Sequence, residues 1–155
     1  MFVCHGNICR SPMAEFIMKK LAKECGASSE LYIESSATSC EEIGNSVYPP
    51  AVRVLAQHGI GCAGKRARRF TSDDYDAFDM VIVMEDYNIG NLARAVGADA
   101  QCKVWKLLDF VEDFSTKNVR CKGSDISDPW YHGNFQKTFA EIESGCKGLL
   151  KYLGY

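Results

Sequence analysis

The chain has 155 residues, eight cysteines and a formal net charge of −2. This length fits one domain, which we predict to span residues 1–155, and the near-neutral charge argues against a dedicated nucleic-acid-binding protein. No apolar run approaches the roughly 18 residues of a membrane span, and the N-terminal residues lack the pattern of a signal peptide. We therefore expect a cytoplasmic protein without a membrane span.

Patterns typical of strands and helices alternate along the chain. The predicted strands lie at 2–3, 31–37, 80–84 and 103–108. The predicted helices start at 12 with Ser11 as N-cap and stop at Gly26, then cover 49–58, begin again at 71–74, and cover 86–96 and 135–153. This alternation predicts an α/β fold with helices on both faces of a parallel sheet. Ligands bind such sheets at the carboxyl ends of the strands, where the loop after the first strand lies.

The eight cysteines do not form a recognisable metal or disulfide pattern. They stand at positions 4, 9, 25, 40, 62, 102, 121 and 146, and no Cys-x-x-Cys occurs. Disulfide frameworks belong to short exported chains, so we expect reduced thiols, most of them packed as small apolar side chains. A cysteine-based metal site has no ligand spacing to support it, and we predict neither a metal nor a cofactor.

The segment from Cys4 to Ser11 has the composition of an anion-binding loop. It joins a strand to a helix N-terminus, where backbone N–H groups and the helix dipole attract negative charge. Gly6 permits a positive φ angle, and Arg10 offers a planar fork that suits two phosphoryl oxygens. Such a field favours a thiolate at Cys4, so this cysteine is a candidate nucleophile, with Ser11 a possible hydrogen-bond donor to it.

The bare spacing of Cys4 and Arg10 carries little weight, because Cys62 and Arg68 have the same spacing. The second pair does not follow an apolar strand, and its arginine is followed by Arg69 rather than by a hydroxyl residue and a proline. Only the first pair therefore has the sequence context of a phosphate-binding loop.

The segment from Val3 to Glu15, VCHGNICRSPMAE, strongly resembles the low-molecular-weight protein tyrosine phosphatases. Further segments resemble family landmarks in the same order, namely 35–45, 58–60, 78–84 and 128–129. The resemblance thus spans nearly the whole chain. It implies a three-layer α/β/α fold with a four-stranded parallel sheet, and hydrolysis of phosphotyrosine through a phosphocysteine intermediate.

The resemblance also implies roles for single residues. Cys4 is expected to be the nucleophile and Arg10 to hold the phosphoryl group. Asn7 and Ser11 are expected to order the loop, with Ser35 as a partner of Asn7. The remaining loop residues His5, Gly6, Ile8 and Cys9 complete the phosphate-binding loop, and Cys9 resembles a second cysteine that can form a reversible disulfide with Cys4.

The family places its general acid at an Asp-Pro, which in this chain is Asp128. We expect Asp128 to protonate the leaving phenol and then to activate water, whereas Asp125 lacks the following proline. Trp130 and Tyr131 are expected to flank the pocket mouth. Glu41 stands where relatives often carry an aromatic residue, so the rim should be more acidic.

Three other functions would use a similar loop. Arsenate reductases that share this loop need cysteines on a mobile segment, and residues 63–101 contain none. Protein arginine phosphatases of this family carry Thr where this chain has Ile8, and an apolar Ile8 favours a phenyl ring over a guanidinium. A non-catalytic phosphotyrosine-binding module would have no use for Asp128. The expected partner is a phosphotyrosine-containing protein, and the oligomeric state stays open.

Overall fold

The computed structural model describes residues 1–111 and 120–155. Its four strands are β1 (Phe2–Cys4), β2 (Ser35–Ala37), β3 (Val81–Val83) and β4 (Val104–Lys106). They form one sheet in the order β2-β1-β3-β4, and every pair is parallel. The predicted four-stranded parallel sheet is therefore confirmed, with β1 in a central position.

Within residues 1–111 and 120–155, six α-helices and a short 3-10 helix connect and cover the strands. The helices are α1 (Arg10–Glu24), α2 (Pro49–Gln57), α3 (Ser72–Ala77), α4 (Asp86–Val96), α5 (Pro129–His132) and α6 (Phe135–Leu153), and the 3-10 helix is Leu107–Phe110. Over residues 1–111 and 120–155, no helix is both long and apolar enough to cross a membrane.

Side chains on the sheet alternate between two apolar clusters, as expected for strands that are buried on both faces. Phe2 and Ile82 face the cluster that contains α1, α2 and α6 residues, whereas Val3, Val81 and Val83 face the one that contains α3 and α4 residues. This arrangement confirms the three-layer α/β/α prediction. It also places the loop after β1 between the neighbouring loops that follow β2 and β3.

The predicted element ends differ from the observed ones in two places that matter for the site. The second strand was predicted over 31–37, but β2 begins at Ser35, because β1 pairs only through Phe2–Cys4 and Phe2 lies opposite Ser35. Ser11 was predicted to be an N-cap, but it lies inside α1, which begins at Arg10. The capping prediction was wrong because the hydroxyl of Ser11 is used by the loop.

Candidate active site

The loop between β1 and α1 is held by hydrogen bonds from backbone N–H groups of the segment that follows β2. The carbonyl of Cys4 accepts a hydrogen bond of 2.9 Å from the Thr38 N–H, and that of His5 accepts one of 3.0 Å from the Ser39 N–H. At the far end of the loop, the carbonyl of Ile8 accepts a bond of 2.8 Å from the Tyr48 N–H. These carbonyls are thus turned outward to their neighbours, which is the backbone arrangement that leaves N–H groups for an anion.

The Cys4 side chain lies at the carboxyl end of β1 and is buried. Its Sγ atom accepts a hydrogen bond of 3.3 Å from the Asn7 N–H and lies 3.0 Å from the Ser11 Oγ. Among the described residues, no side chain caps the N-terminus of α1, which begins two residues beyond Ile8. The sulfur therefore sits beside hydrogen-bond donors and the positive end of a 15-residue helix, which together favour negative charge.

Asn7 ties the loop to the rest of the fold. Its Nδ2 donates to Ser11 Oγ at 2.9 Å and to Ser35 Oγ at 2.8 Å, and its Oδ1 accepts from the Arg68 N–H at 3.2 Å. Asn7 also adopts the left-handed backbone conformation, with φ of 57°. The sequence analysis expected a positive φ at Gly6, and that was wrong. At Gly6 an added Cβ would instead lie 3.2 Å from the Glu42 Cγ, so glycine makes room for the pocket wall.

Behind Ser35 lies a buried carboxylate that the sequence analysis missed. Ser35 Oγ donates to Glu15 Oε2 at 2.6 Å, and Lys65 Nζ lies 2.7 Å from the same oxygen. Burial alone would raise the pKa of Glu15, but the hydrogen bonds from Lys19, Lys65 and Ser35 outweigh it and lower the pKa. Glu15 is therefore an ionised acceptor at neutral pH.

This carboxylate sets the direction of the hydroxyl protons. The Ser35 hydroxyl donates its hydrogen bond to Glu15, so the Ser35 oxygen accepts a hydrogen bond from the Asn7 amide. Ser11 Oγ accepts a hydrogen bond from the same amide. The Ser11 proton is then available to Cys4 Sγ or to the Ser36 carbonyl, 3.3 Å away. A chain of oriented hydrogen bonds thus runs from Lys65 to the sulfur.

Arg10 lies at the floor of the site with a side chain that is 3% exposed. Its Nη2 donates to Glu85 Oε1 at 2.8 Å and to Asp128 Oδ2 at 2.6 Å. Burial lowers the pKa of Arg10, but the negative charges of Cys4, Glu85 and Asp128 outweigh it, so the pKa lies above its usual value. The guanidinium is therefore always charged, and it lines the pocket together with Cys4.

Asp128 reaches the site from the loop that precedes α5. Its Oδ1 accepts from the Trp130 N–H at 3.0 Å, while Oδ2 contacts Arg10. The competing candidate, Asp125, makes an ion pair with the buried Lys106 and accepts from the Asp86 N–H instead. Asp128, and not Asp125, therefore lines the pocket.

These elements enclose a pocket with a volume of about 480 Å³. It is lined by Cys4, His5, Gly6, Ile8, Cys9, Arg10, Glu41, Glu42, Glu85, Tyr87, Asp128, Trp130 and Tyr131. Trp130 is 55% exposed and packs on Tyr48 at a ring-centroid distance of 5.2 Å, whereas Tyr131 is 86% exposed. A charged floor below an aromatic mouth suits a phosphorylated aromatic side chain.

A family model described as "Low molecular weight phosphotyrosine protein phosphatase" matches residues 1–155. The chain belongs to this family. A low molecular weight protein-tyrosine-phosphatase of Bacillus subtilis, YfkJ, is 37% identical over 150 residues, covering 97% of this chain and 92% of that protein. The low molecular weight phosphotyrosine protein phosphatase of Sus scrofa is 33% identical, covering 97% and 92%.

Solved structures of family members share the fold. The crystal structure of YfkJ has a TM-score of 0.89 and covers 98% of this chain and 91% of its own. The structure of SP-PTP, a low molecular weight protein tyrosine phosphatase from Streptococcus pyogenes, has a TM-score of 0.83 at 32% identity, covering 99% and 91%. The family resemblance inferred from the loop motif is thus confirmed over the whole chain.

In this phosphatase fold, sequence reasoning missed Glu85 and Tyr87 as lining residues. Both follow β3 within four residues of its end. The general rule that ligands lie at the carboxyl ends of parallel strands was applied to the loop after the first strand alone. Applied to β3 as well, it would have indicated both residues, although not the contact between Glu85 and Arg10.

Cys9 and Cys62 lie in different surroundings. Cys9 lines the pocket, and burial, with the nearby negative charge of Cys4, raises its pKa to about 12. Cys4 and Cys9 are both free thiols in this structure, so a disulfide between them stays a prediction. Cys62 is buried away from the pocket, and the Arg68 guanidinium binds Asp74 at 2.8 Å.

Proposed function

We propose that this chain hydrolyses phosphotyrosine in proteins, with Cys4 as nucleophile, Arg10 as phosphoryl-binding group and Asp128 as general acid. The observation that carries the proposal is the convergence of these three side chains on one pocket, from the loop after β1 and the loop before α5. A binding module would need the first two groups, but it would gain nothing from a proton donor above them.

In the first step, the Cys4 thiolate attacks phosphorus and forms the S–P bond of a phosphocysteine. The P–O bond to the phenol breaks, its electron pair stays on the phenolic oxygen, and Asp128 supplies the proton. Negative charge spreads over the three other phosphoryl oxygens, which face Arg10 and the loop N–H groups.

The contact between Arg10 and Asp128 occupies the position that a phosphoryl group takes when the substrate binds. Arg10 Nη2 is shared by Glu85 and Asp128 at 2.8 and 2.6 Å. A phosphoryl group bound by the guanidinium takes the place of the Asp128 oxygen on that nitrogen. The freed carboxylate, now beside the negative phosphoryl group, takes up a proton from solvent and can then transfer it to the phenolic oxygen. Glu85 stays in contact and keeps the arginine oriented.

In the second step, water replaces the phenol. The Asp128 carboxylate takes a proton from water, the oxygen attacks phosphorus, and the S–P bond breaks with its electron pair returning to Cys4. Ser11 Oγ, 3.0 Å from the sulfur, donates a hydrogen bond to the departing thiolate. The Asn7 and Ser35 hydrogen bonds hold Ser11 in the position that this step requires.

The apolar part of the pocket favours a phenyl ring. Ile8 lines the pocket with only 8% of its surface exposed, and Trp130 and Tyr131 stand at the mouth. A phosphoarginine guanidinium would place N–H groups against the Ile8 side chain without a hydrogen-bond partner, which carries a free-energy cost. We therefore propose a phosphotyrosine-containing protein as substrate.

The direct test compares otherwise identical phosphotyrosine and phosphoarginine peptides as substrates for the wild type and Cys4→Ser. We expect the wild type to release phosphate from the phosphotyrosine peptide at the higher kcat/KM, without added metal. Cys4→Ser should release none above background. Activity that survives in Cys4→Ser, or a preference for phosphoarginine, would contradict the proposal.

A further inference from the structure

The mouth of the pocket carries an excess of negative charge. Four carboxylate side chains line the pocket: those of Glu85 and Asp128 contact Arg10 at the floor, and those of Glu41 and Glu42 come from the loop after β2. Among the described residues, its lining contains no lysine, and its one arginine is Arg10, which is 3% exposed and held between Glu85 and Asp128 at the floor. The positive charge is therefore confined to the phosphate position, and the part of the pocket that a peptide meets first is acidic.

Glu41 and Glu42 are available to a ligand. The Glu41 side chain is 71% exposed, and its Oε2 lies 3.1 Å from His5 Nε2. Glu42 accepts a hydrogen bond of 2.6 Å from Asn45 Nδ2. In the part of the chain that the structure describes, neither carboxylate makes an ion pair with lysine or arginine. Glu42 can therefore bind a cation without losing an ion pair, and Glu41 can do so by losing only its contact with His5.

The sheet order determines where these carboxylates stand relative to a substrate. The loop after β2 carries Glu41 and Glu42 on one side of the β1 loop, and the first turn of α4, which follows β3, carries Tyr87 on the other. His5 contacts both sides, through Nε2 to Glu41 and through its ring, 6.1 Å from that of Tyr87. A phosphotyrosine that reaches Arg10 must pass between these walls, so its neighbours in the peptide lie at the rim.

We propose that Glu41 and Glu42 make this enzyme selective for phosphotyrosines flanked by lysine or arginine, and unfavourable to those flanked by aspartate or glutamate. The inference rests on the proposed function, because it assigns the substrate class of the same pocket. A basic flanking side chain meets one or both carboxylates at the rim. An acidic flanking side chain is repelled by Glu41 and Glu42, and it is also repelled by the bound phosphate.

The size of the effect follows from the position of the two residues at the rim, where Glu41 is exposed and Glu42 is half-buried. Exposed ion pairs are weak, so each is expected to change kcat/KM by about twofold to fivefold, and both together by about tenfold. The selectivity should also fall with added salt, because the Debye length shrinks from about 10 Å at 0.1 M to about 3 Å at 1 M. An apolar contact at the rim would not show this dependence.

The test measures kcat/KM of the full chain for two phosphotyrosine peptides that differ only in having arginine or glutamate on both sides. The variants are the double substitution Glu41→Gln with Glu42→Gln, and the control Glu24→Gln. Glu24 is the last residue of α1, whose 15 residues place it about 20 Å from the loop. The ratio of the two kcat/KM values is read for each protein, so differences in active fraction cancel.

We expect the wild type and Glu24→Gln to prefer the arginine-flanked peptide by about tenfold at low salt, and by much less at 1 M salt. The double variant should bring the ratio close to one. Equal use of both peptides by the wild type, or a ratio that the double variant leaves unchanged, would overturn this inference while leaving the proposed function standing. Failure to hydrolyse either peptide would overturn both.

Discussion

At the scale of single residues, a substitution of Asp128 should slow the chemical step much more than it weakens phosphate binding. Asp128→Asn keeps an oxygen that can accept from the Trp130 N–H, now 3.0 Å away, but it removes the transferable proton. We expect kcat to fall about 10²-fold to 10⁴-fold, the usual contribution of a general acid. Inhibition by inorganic phosphate, which reports binding at Arg10, should change far less.

The kcat for p-nitrophenyl phosphate and the inhibition constant of inorganic phosphate are measured with purified wild type and Asp128→Asn. Asp125→Asn is the matched control, since Asp125 binds Lys106 outside the pocket. Parallel losses in kcat and in phosphate affinity for Asp128→Asn would remove Asp128 from the role of acid.

Ile8 carries the discrimination between a phenyl ring and a guanidinium. Ile8→Thr places a hydroxyl group at a pocket position that is now apolar and 8% exposed. This hydroxyl can accept a hydrogen bond from a phosphoarginine N–H, so the ratio of kcat/KM for phosphoarginine to phosphotyrosine peptides should rise about tenfold or more. An unchanged ratio would show that Ile8 does not select the substrate.

Glu15 should contribute to stability in a pH-dependent way. Its side chain is 3% exposed and faces Lys65, which is 9% exposed, so Glu15→Gln leaves a buried ammonium without its counter-charge and should cost about 3 kcal/mol at pH 7. Because the pKa of Glu15 is lowered in the folded state, this contribution is present above the unfolded value of about 4.3 and is lost as pH falls through the folded pKa.

Urea unfolding of wild type and Glu15→Gln at pH 7 and at pH 3 tests this. The difference in free energy of unfolding between the two proteins should be large at pH 7 and smaller at pH 3. Glu143→Gln is the control, because Glu143 pairs with Lys147 on an exposed face of α6 and should cost under about 1 kcal/mol. A Glu15→Gln effect that is as small as the control's would contradict the role of the buried pair.

At the scale of elements, the sequence predicted which segments are helices and strands better than it predicted where they end. The helix predicted over 86–96 is observed as α4 and ends at Gly97, whose φ of 78° suits glycine. The acidic helix start predicted at 71–74 is observed as the start of α3, where Thr71 forms a capping box with Asp74. The strand predicted over 31–37 was too long because strand ends depend on pairing with β1, and no local pattern reports the length of a partner.

Two glycines inside helices have opposite surroundings, which gives a matched pair of substitutions. In α6, a Cβ at Gly148 would overlap the carbonyl group of Phe110, whereas in α4 nothing lies within 4 Å of a Cβ at Gly90. Alanine is favoured over glycine in a helix by about 1 kcal/mol, so Gly90→Ala should stabilise the fold by up to that amount. Gly148→Ala should instead destabilise it by about 1–3 kcal/mol, through overpacking against the 3-10 helix.

Thermal unfolding of the two variants beside the wild type measures both effects. Opposite shifts in Tm are expected, upward for Gly90→Ala and downward for Gly148→Ala. A stabilising Gly148→Ala would contradict the close packing of α6 on the segment that follows β4.

At the scale of the whole molecule, site residues that are close together in the sequence were easier to predict than those that are far apart. Cys4 and Arg10 belong to one loop, so their spacing and context were sufficient to predict that they line one pocket. Asp128 was identified through family resemblance alone, since nothing local distinguishes it from a turn aspartate. The pair of Glu15 and Lys65 is separated by fifty residues and meets only when α1 packs beside β2.

The layered arrangement was predictable because it depends on the alternation of strands and helices along the chain rather than on single contacts. The order of strands and helices was sufficient to predict three layers, and the structure has an apolar cluster on each face of the sheet. That residues 1–155 act as one domain stays a prediction. The central position of β1 explains why its loop, rather than another, is surrounded by side chains from both neighbouring loops.

The central claim is that Cys4 becomes phosphorylated during turnover. Rapid acid quench of Asp128→Ala with excess p-nitrophenyl phosphate, followed by peptide mapping by mass spectrometry, tests it most directly. Nitrophenolate leaves without a proton donor, so the intermediate still forms, whereas loss of the base should slow its hydrolysis. We predict a single phosphate on the peptide that contains Cys4, absent when Cys4→Ser is added to the same variant. Turnover without phosphate on Cys4, or with phosphate on another residue, would contradict the account.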